Sequence, residues 1–84
     1  MDEKQKRVLA GMVAMLTALE ETDGWMPRSM LYVAMGADLR ASELAIEVAQ
    51  RAGYVESNSM TVTITAEGRR KAQEINAVLK AASA

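Results

Sequence analysis

The chain of 84 residues contains no cysteine, no histidine and no phenylalanine. Without cysteine it has no disulfide bond, no thiolate metal site and no thiol nucleophile. Without histidine it lacks the commonest general base and the usual metal ligand. Its five glycines are scattered, so no glycine-rich phosphate loop is present. We therefore expect no metal and no cofactor.

Neither sign of charge is in large excess: the chain has ten Lys and Arg residues and eleven Asp and Glu residues, which give a net charge of −1. Such a chain has no global attraction to nucleic acid. No apolar run approaches the roughly 18 residues of a membrane span, and the first residues lack the pattern of a signal peptide. We expect a soluble, cytoplasmic protein that does not bind membranes.

Half of the residues are hydrophobic, mainly Ala, Leu, Val and Met, which favours a packed and mostly helical globule. A chain of this length is near the lower limit for folding around one core, so help from a second subunit is expected. The periodicity predicts a single domain that is mainly α with a small β-hairpin. Its segments are helix 1 at about 2–21, helix 2 at about 27–35, helix 3 at about 39–52, a hairpin at about 54–65 and helix 4 at about 66–82.

Turn and capping residues support these boundaries. Pro27 suits the first position of helix 2, and Gly36 suits a left-handed residue at its end. Asp38 and Thr65 are predicted to cap helices 3 and 4. Trp25, the single tryptophan, is interpreted as a cover over one end of the core.

Helix 1 has no polar face. Between Val8 and Leu19 its only polar side chain is Thr17, and a helix of this kind is normally buried all round. Two interpretations stay open, a central core helix or a helix that also packs on a second subunit. We expect a homodimer, with candidate interface residues Val8, Met12, Met15, Leu19, Val78 and Leu79.

Helix 3 is predicted to turn small residues inward. Its inward face would hold Ala41, Ala45, Val48, Ala49 and Ala52. The opposite face would present Arg40, Ser42, Glu43, Ile46, Glu47 and Gln50 to the surroundings.

Two stretches carry a resemblance to a known family. "MPRSMLYVAMGADLRASELAIEVAQRAGYVE" is similar to a helix, turn and recognition helix, and "VTITAEGRRKAQEI" to a second wing strand that passes into a closing helix. Together they resemble the winged helix-turn-helix domain of MarR-like and PadR-like regulators, over about residues 8–79.

The resemblance implies that helix 3 enters the major groove of DNA and that the hairpin acts as a wing on the backbone or minor groove. The function it implies is a small, dimeric DNA-binding regulator of transcription. The candidate DNA contacts are Arg28, Arg40, Ser42, Glu43, Ile46, Glu47, Gln50, Ser57, Asn58, Ser59, Arg69, Arg70 and Lys71.

The charges along these segments favour a second hypothesis. Glu43 and Glu47 lie on the face that would meet the duplex, where they repel phosphates. The tip of the hairpin, residues 57–59, has no basic side chain, and only residues 69–71 form a basic cluster. The alternative is therefore a winged helix that binds protein, as an adaptor, and does not bind DNA.

An enzyme is the third hypothesis. Glu43 and Glu47, one helical turn apart, are the best carboxylate pair for acid–base chemistry. On a helix surface such a pair is more often simply solvated. We expect no enzymatic activity.

Overall fold

The computed structural model describes residues 2–36 and 38–83, and within them the chain is mainly helical with one small antiparallel sheet. No helix of this part of the chain is long and apolar enough to cross a membrane. The elements, in chain order, are α1 (Glu3–Glu21), β1 (Trp25–Pro27), α2 (Arg28–Met35), α3 (Leu39–Arg51), β2 (Val55–Ser57), β3 (Thr61–Ile64) and α4 (Ala66–Ser83).

The helices begin and end at residues with cap geometry. Gly36 has a left-handed backbone with φ of 65°, as predicted. The Asp38 carboxylate accepts a hydrogen bond from the Ala41 amide at 2.8 Å, and the Thr65 hydroxyl accepts one from the Gly68 amide at 3.0 Å. The predicted caps of helices 3 and 4 are confirmed. The connection between α2 and α3 includes Ala37, which lies outside the described residues.

The sheet has a third strand that the sequence did not indicate. β1 pairs antiparallel with β3, with Trp25 opposite Thr63, and gives the strand order β1-β3-β2. Pro27 ends this edge strand and is the N-cap of α2, so its predicted place as first helical residue is wrong. Trp25, in the same strand, is 50% exposed, so its interpretation as a cover over one end of the core stays a prediction.

The core is built around α1, which packs against α2, α3, α4 and β3. Met15 and Leu19 are fully buried within this one chain. They cannot also face a second subunit in this arrangement, so their prediction as interface residues is wrong. The remaining buried apolar residues are Leu16, Leu31, Met35, Ala45, Ile46, Ala49, Val55, Val62, Ile64 and Ala72.

The junction between the β2–β3 hairpin and α4 is held by backbone contacts. The Thr65 amide donates to the Tyr54 carbonyl at 2.9 Å, and the Thr65 hydroxyl donates to the Gly53 carbonyl. Gly68, in the first turn of α4, lies so close that a Cβ atom on it would overlap the Tyr54 carbonyl oxygen. This position therefore requires glycine, and α4 is fixed against the start of the hairpin.

Candidate functional site

The orientation of α3 decides which side chains its surface can offer. Ser42 and Ile46, predicted to face outward, are 0% and 1% exposed, so that prediction is wrong. The buried stripe is Ser42, Ala45, Ile46 and Ala49, because the larger Ile46 gains more from burial than Val48 and the two alanines that this orientation leaves outside. Arg40, Glu43, Glu47 and Gln50 do lie on the exposed side.

A groove of about 450 Å³ lies between α3 and the hairpin, on the side predicted to contact DNA. Its polar side chains are largely engaged with one another. The Arg51 guanidinium lies 2.7 Å from the Glu47 carboxylate, and the Ser57 hydroxyl donates to the Gln50 side-chain oxygen. Glu43 also lines this groove. Glu43 makes no ion pair with a described residue, so the groove offers a phosphate a carboxylate and two engaged cations, Arg28 and Arg51.

Arg28 stabilises the turn of the hairpin. Its Nε donates to the Tyr32 hydroxyl and one terminal nitrogen donates to the Asn58 carbonyl, both at 3.1 Å. Its guanidinium also lies 5.8 Å from the centre of the Tyr32 ring. A phosphate would have to compete with these three interactions.

The hairpin turn is closed by Asn58. The Asn58 side-chain oxygen accepts from the Met60 and Thr61 amides, both at 2.8 Å. This is the local hydrogen bonding that asparagine supplies in turns. Ser59 is exposed beside it. The predicted contacts at the tip thus consist of Ser57, whose hydroxyl is bonded to Gln50, the exposed Ser59, and an asparagine whose side-chain oxygen is already used within the turn.

The basic cluster at the start of α4 is paired with carboxylates. Each of its three cations lies within 4 Å of an acidic side chain, two of them on the same helix. Surface pairs of this kind are weak individually, yet they remove the net positive charge that a phosphate would meet. The pairs are Arg69 with Glu20 at 3.4 Å, Arg70 with Glu67 at 2.8 Å and Lys71 with Glu74 at 3.9 Å.

A different group of cations lies at the other end of α3. Lys4 and Arg7 of α1 and Arg40 of α3 line one cavity of about 310 Å³. None of the ion pairs among residues 2–36 and 38–83 involves these three side chains. Sequence reasoning missed Lys4 and Arg7, because no local pattern brings the start of α1 beside the start of α3.

Two apolar surfaces are uncovered. The first, called here the α1–α3 groove, has a volume of about 540 Å³ and includes the interface candidates Val8 and Met12. The second is on α4, where Val78 and Leu79 are more than half exposed. The α1–α3 groove is lined by Lys4, Gln5, Val8, Leu9, Met12, Leu44 and Val48.

No group of three or more Asp and Glu residues in the described part of the chain is arranged to hold a metal ion. Glu43 and Glu47 lie on the open groove beside the hairpin, and Glu47 is paired with Arg51.

A comparison with known protein families, characterised proteins and solved structures finds no match for this chain.

Proposed function

We propose that this chain is a winged helix module that binds protein and does not bind DNA. The element order and the three-stranded antiparallel sheet are compatible with a winged helix-like fold. In that fold α3 would be the recognition helix, and β2, β3 and their turn would be the wing. Fold alone does not assign function, so the surface chemistry of these elements carries the argument.

One observation supports protein over DNA. At the positions where such a domain would touch phosphates, four of the five candidate cations are already engaged within the chain: Arg28 with the hairpin turn, and residues 69–71 with carboxylates. Arg40 is the exception among the described residues. The exposed side of α3 presents Glu43 and Glu47. Affinity for DNA comes mainly from cations that release counterions from the phosphates. Here a duplex would meet carboxylates and would have to break existing pairs.

The test is a fluorescence anisotropy titration of a labelled duplex of mixed sequence, at about 50 mM and about 200 mM salt. We expect no binding at micromolar protein concentration at either salt. Binding that weakens steeply between the two salts would contradict the proposal. Arg40→Ala serves as the paired variant, since it removes the one unpaired cation on the exposed side of α3.

A dimeric DNA-binding regulator is the second candidate. Arg40 favours it, because this side chain is exposed in the first turn of α3 and makes no ion pair with a described residue. Two copies would then place their α3 helices at half-sites about one helical turn apart. Loss of a salt-dependent signal in Arg40→Ala would support this candidate.

Self-association is proposed under both functions. Met15 and Leu19 are buried in the core, so the stripe of Val78 and Leu79 on α4 is the surface that we assign to a homodimer. These side chains are 65% and 52% exposed, and adjacent large apolar residues on one helix gain from burial against a second copy.

A further inference from the structure

We propose that the α1–α3 groove binds an amphipathic helix of a partner protein, and that this helix carries acidic residues at one end of its apolar stripe. The inference rests on the proposed protein-binding function and adds the chemistry of the partner. It is carried by three features of the groove: its apolar floor, its helical walls and the unpaired cations at one end.

The floor and walls fit a helix. Leu9 of α1 and Val48 of α3 both line the groove and are 44% and 43% exposed, and the other apolar lining residues, Val8, Met12 and Leu44, are partly buried. An amphipathic helix presents apolar side chains at i, i+3, i+4 and i+7 to a groove of this kind. A contiguous group of solvent-exposed apolar side chains is typical of an interaction surface.

The two walls run in the same direction. Lys4 lines the groove near the start of α1 and Met12 lines it further along, while Leu44 and Val48 follow in the same order on α3. From Lys4 to Met12 the helix rises about 12 Å, which is just over two turns. The groove therefore accepts two to three turns of a partner helix.

One end of the groove is positively charged. The cavity of about 310 Å³ that holds Lys4, Arg7 and Arg40 shares Lys4, Val8 and Leu44 with the groove, so the two are continuous. Glu3 and Asp38 line the same cavity, and each has a partner of its own: the Glu3 carboxylate lies 3.9 Å from the Lys6 ammonium, and the Asp38 carboxylate accepts from the Ala41 amide. The three cations still outnumber these two carboxylates.

The three cations have no such partner among the described residues. Acidic side chains on the docked helix would supply one, and charge complementarity of this kind fixes orientation and excludes other partners.

A second copy of this chain is a poorer occupant. The helical surface that it offers in return is the Val78–Leu79 stripe of α4, which is flanked by Lys71 and Lys80 with only Glu74 as an acid. Lys71 and Glu74 already pair, so the stripe would bring the positive charge of Lys80 to a groove with a positive end. A duplex would match the cations but would leave the apolar floor uncovered.

The first experiment is a selection. A phage library of random helical peptides of about three turns, roughly 11 residues, is selected on the wild-type protein and counter-selected on Val48→Asp. We expect enriched sequences with apolar residues at helical spacing and with Asp or Glu gathered at one end. Enrichment of sequences without that acidic end would overturn the proposal, as would no enrichment over Val48→Asp.

The second experiment measures one enriched peptide, synthesised with a fluorophore, by anisotropy. Val48→Asp is expected to weaken binding by about tenfold or more. The double variant Lys4→Glu/Arg7→Glu is expected to weaken it by about three- to tenfold and to reverse its salt dependence, because salt then screens a repulsion between carboxylates. Val33→Asp is the matched control, since Val33 is 81% exposed on α2, away from the groove, and should bind as the wild type does.

Circular dichroism melts check that each variant folds. If Val48→Asp does not fold, a second groove variant, Leu9→Glu, replaces it. Equal binding by Val48→Asp and Val33→Asp would overturn the proposal. So would light scattering in which Val48→Asp, and not Leu79→Asp, dissociates a wild-type dimer, because the occupant would then be a second copy.

The outcomes separate this inference from the proposed function. If neither DNA nor any helical peptide binds, the assignment of the groove fails and the protein-binding function stands. Another outcome is that a duplex binds with strong salt dependence and displaces the peptide. If Arg7→Glu then abolishes the binding of both duplex and peptide, the cations form a phosphate site. Both proposals are then wrong.

Discussion

Replacing Gly68 by alanine would place a methyl group on the Tyr54 carbonyl oxygen, at the junction of α4 and the hairpin. The added Cβ would also lie 2.7 Å from a side-chain carbon of Ile64. The main obstacle is backbone, and the same carbonyl accepts the hydrogen bond of Thr65. The strand and the helix would have to separate to make room.

The magnitude follows from three effects. Overpacking in a tight site costs typically 1–3 kcal/mol, and an obstruction by backbone belongs at the upper end, about 3 kcal/mol. Weakening the hydrogen bond to the Tyr54 carbonyl adds roughly 1 kcal/mol. Alanine in a helix recovers about 1 kcal/mol relative to glycine. We expect Gly68→Ala to lower the free energy of unfolding by about 3 kcal/mol and Tm by roughly 12–24 °C.

Gly11→Ala is the matched control, because Gly11 is also a helical glycine. Its Cβ would meet the Ala45 Cβ at 3.3 Å and the Met35 terminal methyl at 3.4 Å, and the Met35 side chain can move aside. Its effect should stay within about 1 kcal/mol. Both variants are measured by thermal and urea unfolding followed by circular dichroism. The packing of α4 against the hairpin would be refuted if Gly68→Ala had the same Tm as the wild type, or a higher Tm than Gly11→Ala.

Other substitutions test separate parts of the structure. Ser42→Ala should raise the free energy of unfolding by about 1 kcal/mol in urea titrations, because the buried hydroxyl has no hydrogen-bond partner among the described residues; a loss of stability would show that it has one. Arg28→Ala should speed amide hydrogen exchange at Thr61 severalfold, because the hairpin turn loses the side-chain hydrogen bond from Arg28 to Asn58 and keeps the backbone bond from residue 28 to Met60; unchanged exchange would deny that role. Val78→Asp and Leu79→Asp should each convert a dimer to a monomer in light scattering at micromolar concentration; a wild-type monomer would remove the homodimer.

The sequence predicted the helices well because their signals are local. The caps at Asp38 and Thr65 and the left-handed Gly36 each depend on neighbours a few residues away. The alternation in "MTVTIT" predicts that Met60, Val62 and Ile64 lie on one side; Val62 and Ile64 are buried, but Met60, which precedes β3, is 74% exposed. Patterns of this kind can be read from one segment without knowing its partners.

β1 could not be predicted in this way. It has three residues, too few to show a period of two, and it includes Pro27, which argues against a strand interior. Trp25 takes an extended backbone because β3 supplies the pairing partner, far along the chain. Its place is set by tertiary structure and not by propensity.

The buried face of α3 was predicted wrongly because alanine, which occurs on several sides of this helix, is a weak indicator of burial. Ala45 and Ala49 belong both to the predicted stripe and to the observed one. The two stripes differ in direction by about 70° at 100° per residue, and the choice between them depended on whether Val48 or Ile46 lies inward. Ile46 does, so Ser42 goes with it and Val48 is left to line the α1–α3 groove. The cations of that groove were missed for a related reason, since Lys4 and Arg40 meet only in the folded chain.

The most direct test of the account compares the wild type with Glu43→Lys/Glu47→Lys in the same DNA titration. If the fold is a winged helix whose recognition helix is blocked by its charges, the double variant should acquire salt-dependent binding with a Kd on the order of 10 μM. The wild type should show none. Wild-type binding that matches the double variant in affinity and salt dependence would contradict the central claim that this surface does not bind DNA.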